Sequence, residues 1–257
     1  MEEDPGNMAN RPRWIELATD DPQAAQQFYG QLFGWQIDIS DDPQYGGYAM
    51  GMIDGRAAAG IGGKTDASRP TVWSLYVGTD YIEGLVGRVT QEGGTVVAPP
   101  FDVRDQGRMA VFQDPAGAFI SAWQGTQPGT FISDQPNAFS WAELNARDIT
   151  NVTPFYERVF DWTTRTTDGG DQPYYEFQHS GRSILGALEM PPELPSEIPA
   201  YWLIYFDVED VDSAFARAVE LGATEVVGAQ EFPGGRFAIV SDPQGATFGL
   251  LRVVRDV

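Results

Sequence analysis

Arg13–Trp35 reads RWIELATDDPQAAQQFYGQLFGW, and Ser140–Trp162 reads SWAELNARDITNVTPFYERVFDW. Trp14 answers Trp141, Glu16 answers Glu143, Phe28-Tyr29 answers Phe155-Tyr156 and Trp35 answers Trp162, each pair 127 positions apart with no gap. Later in each half, GRMAVFQDPAGAFISAW from Gly107 matches GRFAIVSDPQGATFGLL from Gly235, 128 positions apart. Solenoid repeats recur every ~20–50 residues. This spacing is that of a duplicated domain, and a duplicated domain implies two related pockets.

Each half divides again. Trp14–Ala18 alternates as a strand does, and Asp20-Asp21-Pro22 starts a helix, with Pro in the first turn. Ala25, Phe28, Leu32 and Phe33 fall at helical spacing, and Gly34 stops the helix. A strand begins at Trp35, and Tyr48–Gly62 reads as a hairpin turning at Asp54-Gly55. The order then restarts: strand Thr71–Val77, helix Tyr81–Gln91, and strands Thr95–Ala98, Arg108–Gln113 and Ala118–Trp123, the last two joined at Asp114-Pro115-Ala116-Gly117. The same βαβββ order returns from Trp141 and from Tyr201, with Val211–Leu221 as the last helix and Asp242-Pro243-Gln244-Gly245 as the matching turn. The expected fold class is therefore α+β, with four βαβββ units, two per half. Residues 125–137 (GTQPGTFISDQPN) are rich in Gly, Pro and polar side chains and read as a linker between residues 11–124 and 138–254. Two such units side by side form a curved mixed sheet around a cleft, with every second strand side chain pointing into it.

Composition narrows the function. The 257 residues include 42% hydrophobic and 12% aromatic side chains, enough for a core in each half. No apolar run approaches the ~20 residues of a membrane span. MEEDPGNMAN lacks a signal-peptide pattern, so a cytoplasmic location is expected. Without cysteine there are no disulfides, thiolate nucleophiles or Cys metal sites. A net charge of −21 repels nucleic-acid phosphates and excludes a DNA or RNA binder, while most of that charge reads as a solvating surface. Lys64 is the single lysine beside fifteen arginines and reads as a surface residue of the loop GGKTDASRP. Gly60-Ile61-Gly62-Gly63 lacks the context of a dinucleotide loop. There is no P-loop or nucleophile elbow.

Paired βαβββ units, the FYGQLFGW segment closing the first helix and the DPAGAFISAW segment closing the second unit resemble the vicinal oxygen chelate superfamily. That group contains glyoxalase I, the extradiol dioxygenases and the bleomycin-resistance proteins. WIEL, FYGQLFGW and GRMAVFQDPAGAFISAW are similar to its tandem-domain, glyoxalase-like actinobacterial branch, labelled as hydroxylases or lyases. The resemblance spans roughly residues 11–254 and implies two tandem glyoxalase-like domains. It also implies where metal-dependent members place their ligands: at Trp14 and Trp141, on or near Val72 and Tyr201, and at Ser121 and Gly249. None of these is a histidine or carboxylate, the donors such ions take at ~2.0–2.2 Å. The expectation is that neither half holds a metal or other cofactor.

What remains to line the clefts follows from strand parity. If Trp14 and Trp141 face inward, so do Glu16 and Glu143, two residues further on. A carboxylate beside an indole in a half-dry cleft suits a general acid or base, or a ligand-holding group, because desolvation disfavours the ion. The alternative is that each glutamate bonds a buried backbone group or an arginine and serves only the sheet. Ser121 brings Phe119 and Trp123 to its face. Val72 brings Ser74 and Tyr76, Tyr201 brings Leu203 and Tyr205, and Gly249 brings Thr247 and Leu251. Such a cleft suits a flat, mostly apolar ligand, although aromatic strand residues also fill cores. His179, the only histidine, reads as a solvent-exposed hairpin residue. Arg108 and Arg236 are expected to pair with Asp102, Asp105 or Glu231, and Asp114 and Asp242 to bond turn amides.

Two functions follow. The first is metal-independent binding of a small aromatic or hydrophobic compound, such as an antibiotic or other secondary metabolite, lined by Trp14, Ser74, Phe119, Ser121, Trp123, Trp141 and Tyr205. The second is a lyase, isomerase or hydroxylase-like enzyme in which Glu16 or Glu143 moves a proton. The expected partner is a small molecule, with no nucleic acid and no membrane.

Overall fold

The computed structural model describes residues 9–126, 131–169 and 172–254. Four βαβββ modules run along it. The first is β1 (Pro12–Thr19), α1 (Pro22–Phe33), β2 (Gln36–Ile39), β3 (Ala49–Ile53) and β4 (Arg56–Gly63), and the second is β5 (Val72–Gly78), α2 (Ile82–Gln91), β6 (Thr95–Val103), β7 (Gly107–Gln113) and β8 (Phe119–Gly125). The third is β9 (Phe139–Ala146), α3 (Ile149–Phe160), β10 (Thr163–Asp168), β11 (Pro173–His179) and β12 (Arg182–Glu189), and the fourth is β13 (Tyr201–Asp207), α4 (Val211–Glu220), β14 (Thr224–Phe232), β15 (Gly235–Ser241) and β16 (Thr247–Val253). Part of the linker, residues 127–130, lies outside the described residues. No helix among the described residues is long and apolar enough to cross a membrane.

Local chemistry sets the boundaries as read. Asp21 caps α1 by accepting from the Ala24 amide, and Gly34 ends it at φ 69°. Asp148 caps α3 in the same way through Asn151. Asp54 and Gly55 take φ 49° and 74°, the left-handed pair that a two-residue hairpin needs. One strand outruns its expected end: β6 passes through Pro99-Pro100 to Val103. The prolines fall where its register against β7 shifts, between Ala98 and Phe101, on a strand at the sheet's edge. There a missing N–H and a bulge are both tolerated.

The strands form two mixed eight-stranded sheets, ordered β2-β3-β4-β1-β5-β8-β7-β6 and β10-β11-β12-β9-β13-β16-β15-β14. Within each module the hairpin strands pair antiparallel. The first strand pairs parallel with the last, as β1 does with β4 and β5 with β8. The sheets follow the two sequence halves, but the compact units do not. Among the described residues, one unit gathers 9–14, 75–126, 142–169 and 172–202, and the other gathers 15–74, 131–141 and 203–254. They are called below the Glu143 unit and the Glu16 unit. Each therefore joins a module from one half to a module from the other.

Each unit has an aromatic core. In the Glu16 unit, Tyr29 meets Trp73 edge-on at 5.1 Å, and Phe33 and Trp73 lie 4.7 and 5.1 Å from Phe206. In the Glu143 unit, Tyr156 stacks on Trp162 at 5.8 Å and meets Trp202 edge-on at 5.4 Å. Such pairs add ~0.5–1.5 kcal/mol each beyond area burial. The repeated tryptophans also tie down the chain before each half's first strand. Trp35 Nε1 donates to the Asn137 carbonyl in one unit and Trp162 Nε1 to the Asn10 carbonyl in the other, both at 2.7 Å. Trp35 lies flat on Gly51, where a Cβ would come within 2.2 Å of the ring.

Candidate functional site

In the Glu16 unit, Ile15 and Leu17 are fully buried on one face of β1, and Glu16 projects half-buried from the other. Across the ladder Glu16 lies beside Gly60, Gly60 beside Met50, and Met50 beside Asp38. The Tyr48 hydroxyl donates to Glu16 Oε2 at 3.0 Å. Its ring packs over Gly62, where a Cβ would approach to 3.0 Å. A phenol thus orients the carboxylate on a face otherwise floored by glycines and Met50. Elsewhere in the unit, Tyr205 lies against Gly249, leaving 2.0 Å between its ring and any Cβ there. Ser74 and Trp141 are half-buried.

The equivalent row in the Glu143 unit is more polar. Arg165 lies beside Glu176, Glu176 beside Gly186, and Gly186 beside Glu143. Arg165 pairs with Glu176 at 2.7 Å, Ser183 donates to the same carboxylate, and Asn145 Nδ2 lies 3.5 Å from Glu143 Oε1. Burial, then the negative charge of Glu143, push the Tyr201 phenol above its ordinary pKa, so it remains a donor at neutral pH. The same unit holds Trp14, half-buried, and the face of β8. There Ser121 is 4% exposed between Tyr76 and Val111, and Trp123 lies beside Met109. Phe119, expected to turn inward, is 48% exposed at the start of the strand.

Two buried relays escaped the sequence reading. Tyr29 donates to Asp242 Oδ2 at 2.9 Å and accepts from Trp73 Nε1 at 3.0 Å. Tyr156 donates to Asp114 Oδ2 at 2.8 Å and accepts from Trp202 Nε1 at 3.0 Å. Both aspartates bond turn amides through Oδ1 as expected: Ala116 and Ala118 for Asp114, Gln244 and Ala246 for Asp242. Each tyrosine is fully buried, which together with its aspartate pushes its pKa well up. The available signal was the recurrence of both FY and DP at matched places in both halves.

Three expectations are corrected. His179 ends β11 half-buried, with its Nδ1 out of solvent and without a hydrogen-bond partner, rather than lying exposed. The Lys64 side chain is 7% exposed, because its ammonium reaches Asp20 Oδ2 and the Arg69 carbonyl, both at 2.7 Å. Arg236 pairs with Asp212 on the first turn of α4, at 2.8 and 2.7 Å, and not with Glu231. Arg108 meets Asp102 at 2.9 Å as expected, and Glu83 as well.

The metal positions implied by the resemblance do not fit an ion. Trp14, Val72, Trp141 and Gly249 bring no donor, Ser121 brings only a hydroxyl, and Tyr201 brings a phenol whose pKa burial raises. Among the described residues, no three His, Asp or Glu side chains are grouped to hold an ion. Among the described residues, cavities lie beside helices. One of about 230 Å³ sits between α1 and the Asp242–Gln244 turn, and one of about 330 Å³ between the start of α3, Pro115-Ala116 and residues 196–200.

The profile of the Glyoxalase/Bleomycin resistance protein/Dioxygenase superfamily matches residues 11–121 and again 138–250. The chain is 34% identical over 247 residues to "Putative glyoxylase CFP32" of Mycobacterium tuberculosis, covering 94% of each. It is 32% identical over 260 residues to "Anthracycline biosynthesis protein DnrV" of Streptomyces peucetius, covering 94% of this chain and 93% of that one. Among solved structures it resembles the 2,3-dioxygenase LapB from Pseudomonas sp. KL28, with TM-score 0.66, 16% identity and 97% and 95% of the two chains covered. It also resembles the Mn(II)-bound glyoxalase from Novosphingobium aromaticivorans, with TM-score 0.64, 16% identity and 96% and 84% covered. At that identity the likeness establishes the fold alone.

Proposed function

The chain belongs to the Glyoxalase/Bleomycin resistance protein/Dioxygenase superfamily, and from that premise we propose that it binds a small aromatic or hydrophobic compound of secondary metabolism without a metal. Each unit offers its own ligand face: Glu16 with Ser74, Trp141 and Tyr205 in one, and Glu143 with Trp14, Phe119, Ser121 and Trp123 in the other. The observation that carries the reading is the replacement of the implied ligand positions by indole, alkyl, hydroxyl and glycine. At Gly249 the replacement is irreversible without moving Tyr205, whose ring leaves 2.0 Å for a Cβ. The 32% identity with the anthracycline biosynthesis protein DnrV supports a ligand of secondary metabolism.

A second reading has its own observation. The Tyr48 hydroxyl bonds the Glu16 carboxylate at 3.0 Å, setting a phenol on a carboxylate. That pairing suits proton transfer in a lyase, isomerase or hydroxylase-like reaction. The experiment is elemental analysis of dialysed protein for Ni, Zn, Fe and Mn, with binding of a naphthol probe in the presence and absence of EDTA. Probe binding that survives chelation, on protein free of stoichiometric metal, is the expected result. Stoichiometric metal whose removal abolishes binding would overturn the reading.

A further inference from the structure

The β7–β8 and β15–β16 turns differ at one position. Asp242-Pro243-Gln244-Gly245 carries a glutamine where Asp114-Pro115-Ala116-Gly117 carries an alanine, 128 positions earlier. In the Glu16 unit that glutamine's carboxamide is held at both ends. Its Oε1 accepts from the Asp21 amide at 2.8 Å and from the Thr19 hydroxyl, and its Nε2 donates to the Asp21 carbonyl at 2.9 Å. In the Glu143 unit Asp148 stands at the Asp21 position, but Ala146 replaces Thr19 and Ala116 replaces Gln244. Hydroxyl and carboxamide are thus shortened together to methyl groups, and Ala116 and Asp148 line the open cavity of about 330 Å³. All of that cavity lies within the Glu143 unit. Its far wall is also peculiar to this half. The connection from β12 to β13 runs MPPELPSEIPA, Met190 to Ala200, where that from β4 to β5 runs KTDASRPT, Lys64 to Thr71, three residues fewer. Prolines 191, 192, 195 and 199 stiffen the longer connection. Arg147 Nη2 ties it down through the Leu194 and Pro195 carbonyls.

We infer that this cavity of the Glu143 unit binds a small molecule through a primary carboxamide, in the place that Gln244 fills in the other unit. A primary carboxamide sets an acceptor oxygen and a donor N–H side by side, and so matches the N–H and C=O of a single residue. A carboxylate or a ketone brings no donor for the Asp148 carbonyl. That carbonyl takes the Asn151 amide at 3.3 Å and keeps a second lone pair, just as the Asp21 carbonyl accepts from Ala25 and Gln244 together. Pro115, Ile198 and Pro199 offer apolar surface to the rest of the molecule, an aryl or alkyl group. The volume sits at the small end of the ~300–1,000 Å³ usual for ligand sites. The cavity is made of turns and the start of α3, apart from the strand faces carrying Glu16 and Glu143, so it does not depend on the binding reading above.

The test titrates the full chain with benzamide, benzoate and acetophenone, followed by calorimetry and by ¹H–¹⁵N correlation spectra. Benzamide should bind saturably, about fivefold to tenfold more tightly than either analogue, the size of one well-made hydrogen bond. It should move the Asp148 amide resonance and leave that of Asp21, which Gln244 already bonds. Ala116→Gln, which copies the other turn, should supply the carboxamide from within and weaken benzamide binding at least as much. If that variant does not fold, the wild-type preference and the Asp148 shift decide the question. Benzoate binding as tightly as benzamide would mark an anion site and overturn the inference. So would unchanged affinity in folded Ala116→Gln, shifts confined to Gly60 and Gly186 on the strand faces, or no saturable binding. None of these outcomes bears on the naphthol experiment, which tests the strand faces separately.

Discussion

Removing one oxygen from Tyr156 should destabilise the protein far more than an ordinary conservative change. Tyr156→Phe leaves the ring stack in place, but takes the donor from Asp114 Oδ2 and the acceptor from Trp202 Nε1, at 2.8 and 3.0 Å. A hydrogen bond to a carboxylate contributes ~1.5–3 kcal/mol, and a buried N–H left unpaired costs ~1–3 kcal/mol. The two terms share one hydroxyl and do not add fully, so the expected loss is about 2–4 kcal/mol. For a chain of this size each kcal/mol lowers Tm by ~2–4 °C, so a fall of about 5–15 °C should be seen in calorimetry. Urea unfolding followed by far-UV circular dichroism and tryptophan fluorescence gives the free energy directly. Tyr29→Phe should lose as much, since its bonds to Asp242 and Trp73 are 2.9 and 3.0 Å. Tyr81→Phe is the control: that ring is 66% exposed, and the change should stay within about 0.5 kcal/mol. A Tyr156→Phe protein as stable as the control would refute the claim that each relay stabilises the unit that contains it.

Burial raises the Asp114 pKa in the folded state, so the native protein holds that proton more tightly than the unfolded chain. Its contribution to stability is full below the unfolded value near 3.8 and is lost as pH rises through the raised value. Asp114→Asn should therefore steepen the rise of stability with pH just above 4, measured as urea midpoints across pH ~3.5–6. Asp212, lowered chiefly by its hydrogen bond to Arg236, works oppositely: its support is present above the unfolded value and is lost as pH falls through the lowered one. Gly51→Ala drives a methyl to within 2.2 Å of Trp35; overpacking of this kind should lose about 1–3 kcal/mol in urea denaturation. Trp162→Phe deletes the 2.7 Å bond to the Asn10 carbonyl, and should speed amide exchange around residues 9–12 while lowering stability by ~1 kcal/mol or more.

Much of the fold was legible because its signals are local. Alternation along β1, the Asp21 cap, the Gly34 stop and the Asp54-Gly55 turn each depend on a few adjacent residues. The duplication itself was legible as identity at fixed spacing. The composition of the compact units was not, for a reason inherent in duplication. Modules two and four look alike to the eye, so nothing in the text says which of them the first module packs against. Tyr29 could have met Asp114 or Asp242, and only the folded chain chooses Asp242. The same blindness hid the Arg236–Asp212 pair, whose partners lie on a strand and a helix turn 24 residues apart. For the candidate site, parity placed Glu16 and Glu143 on the strand face away from the helix-side core. It could not foresee Tyr48, whose hydroxyl arrives from before β3, nor that Phe119 would sit at a strand end where packing runs out.

The tyrosine–aspartate relays also bear on how such a chain can change over generations. Tyr29 and Asp242 are separated by 213 positions, and Asp114 and Tyr156 straddle the linker. A crossover in the gene that imported one half from a cousin would bring half of each relay and leave the other half behind. Inheritance of the two halves is thereby coupled, so chimaeras spliced at the linker should survive only between parents that spell both pairs alike.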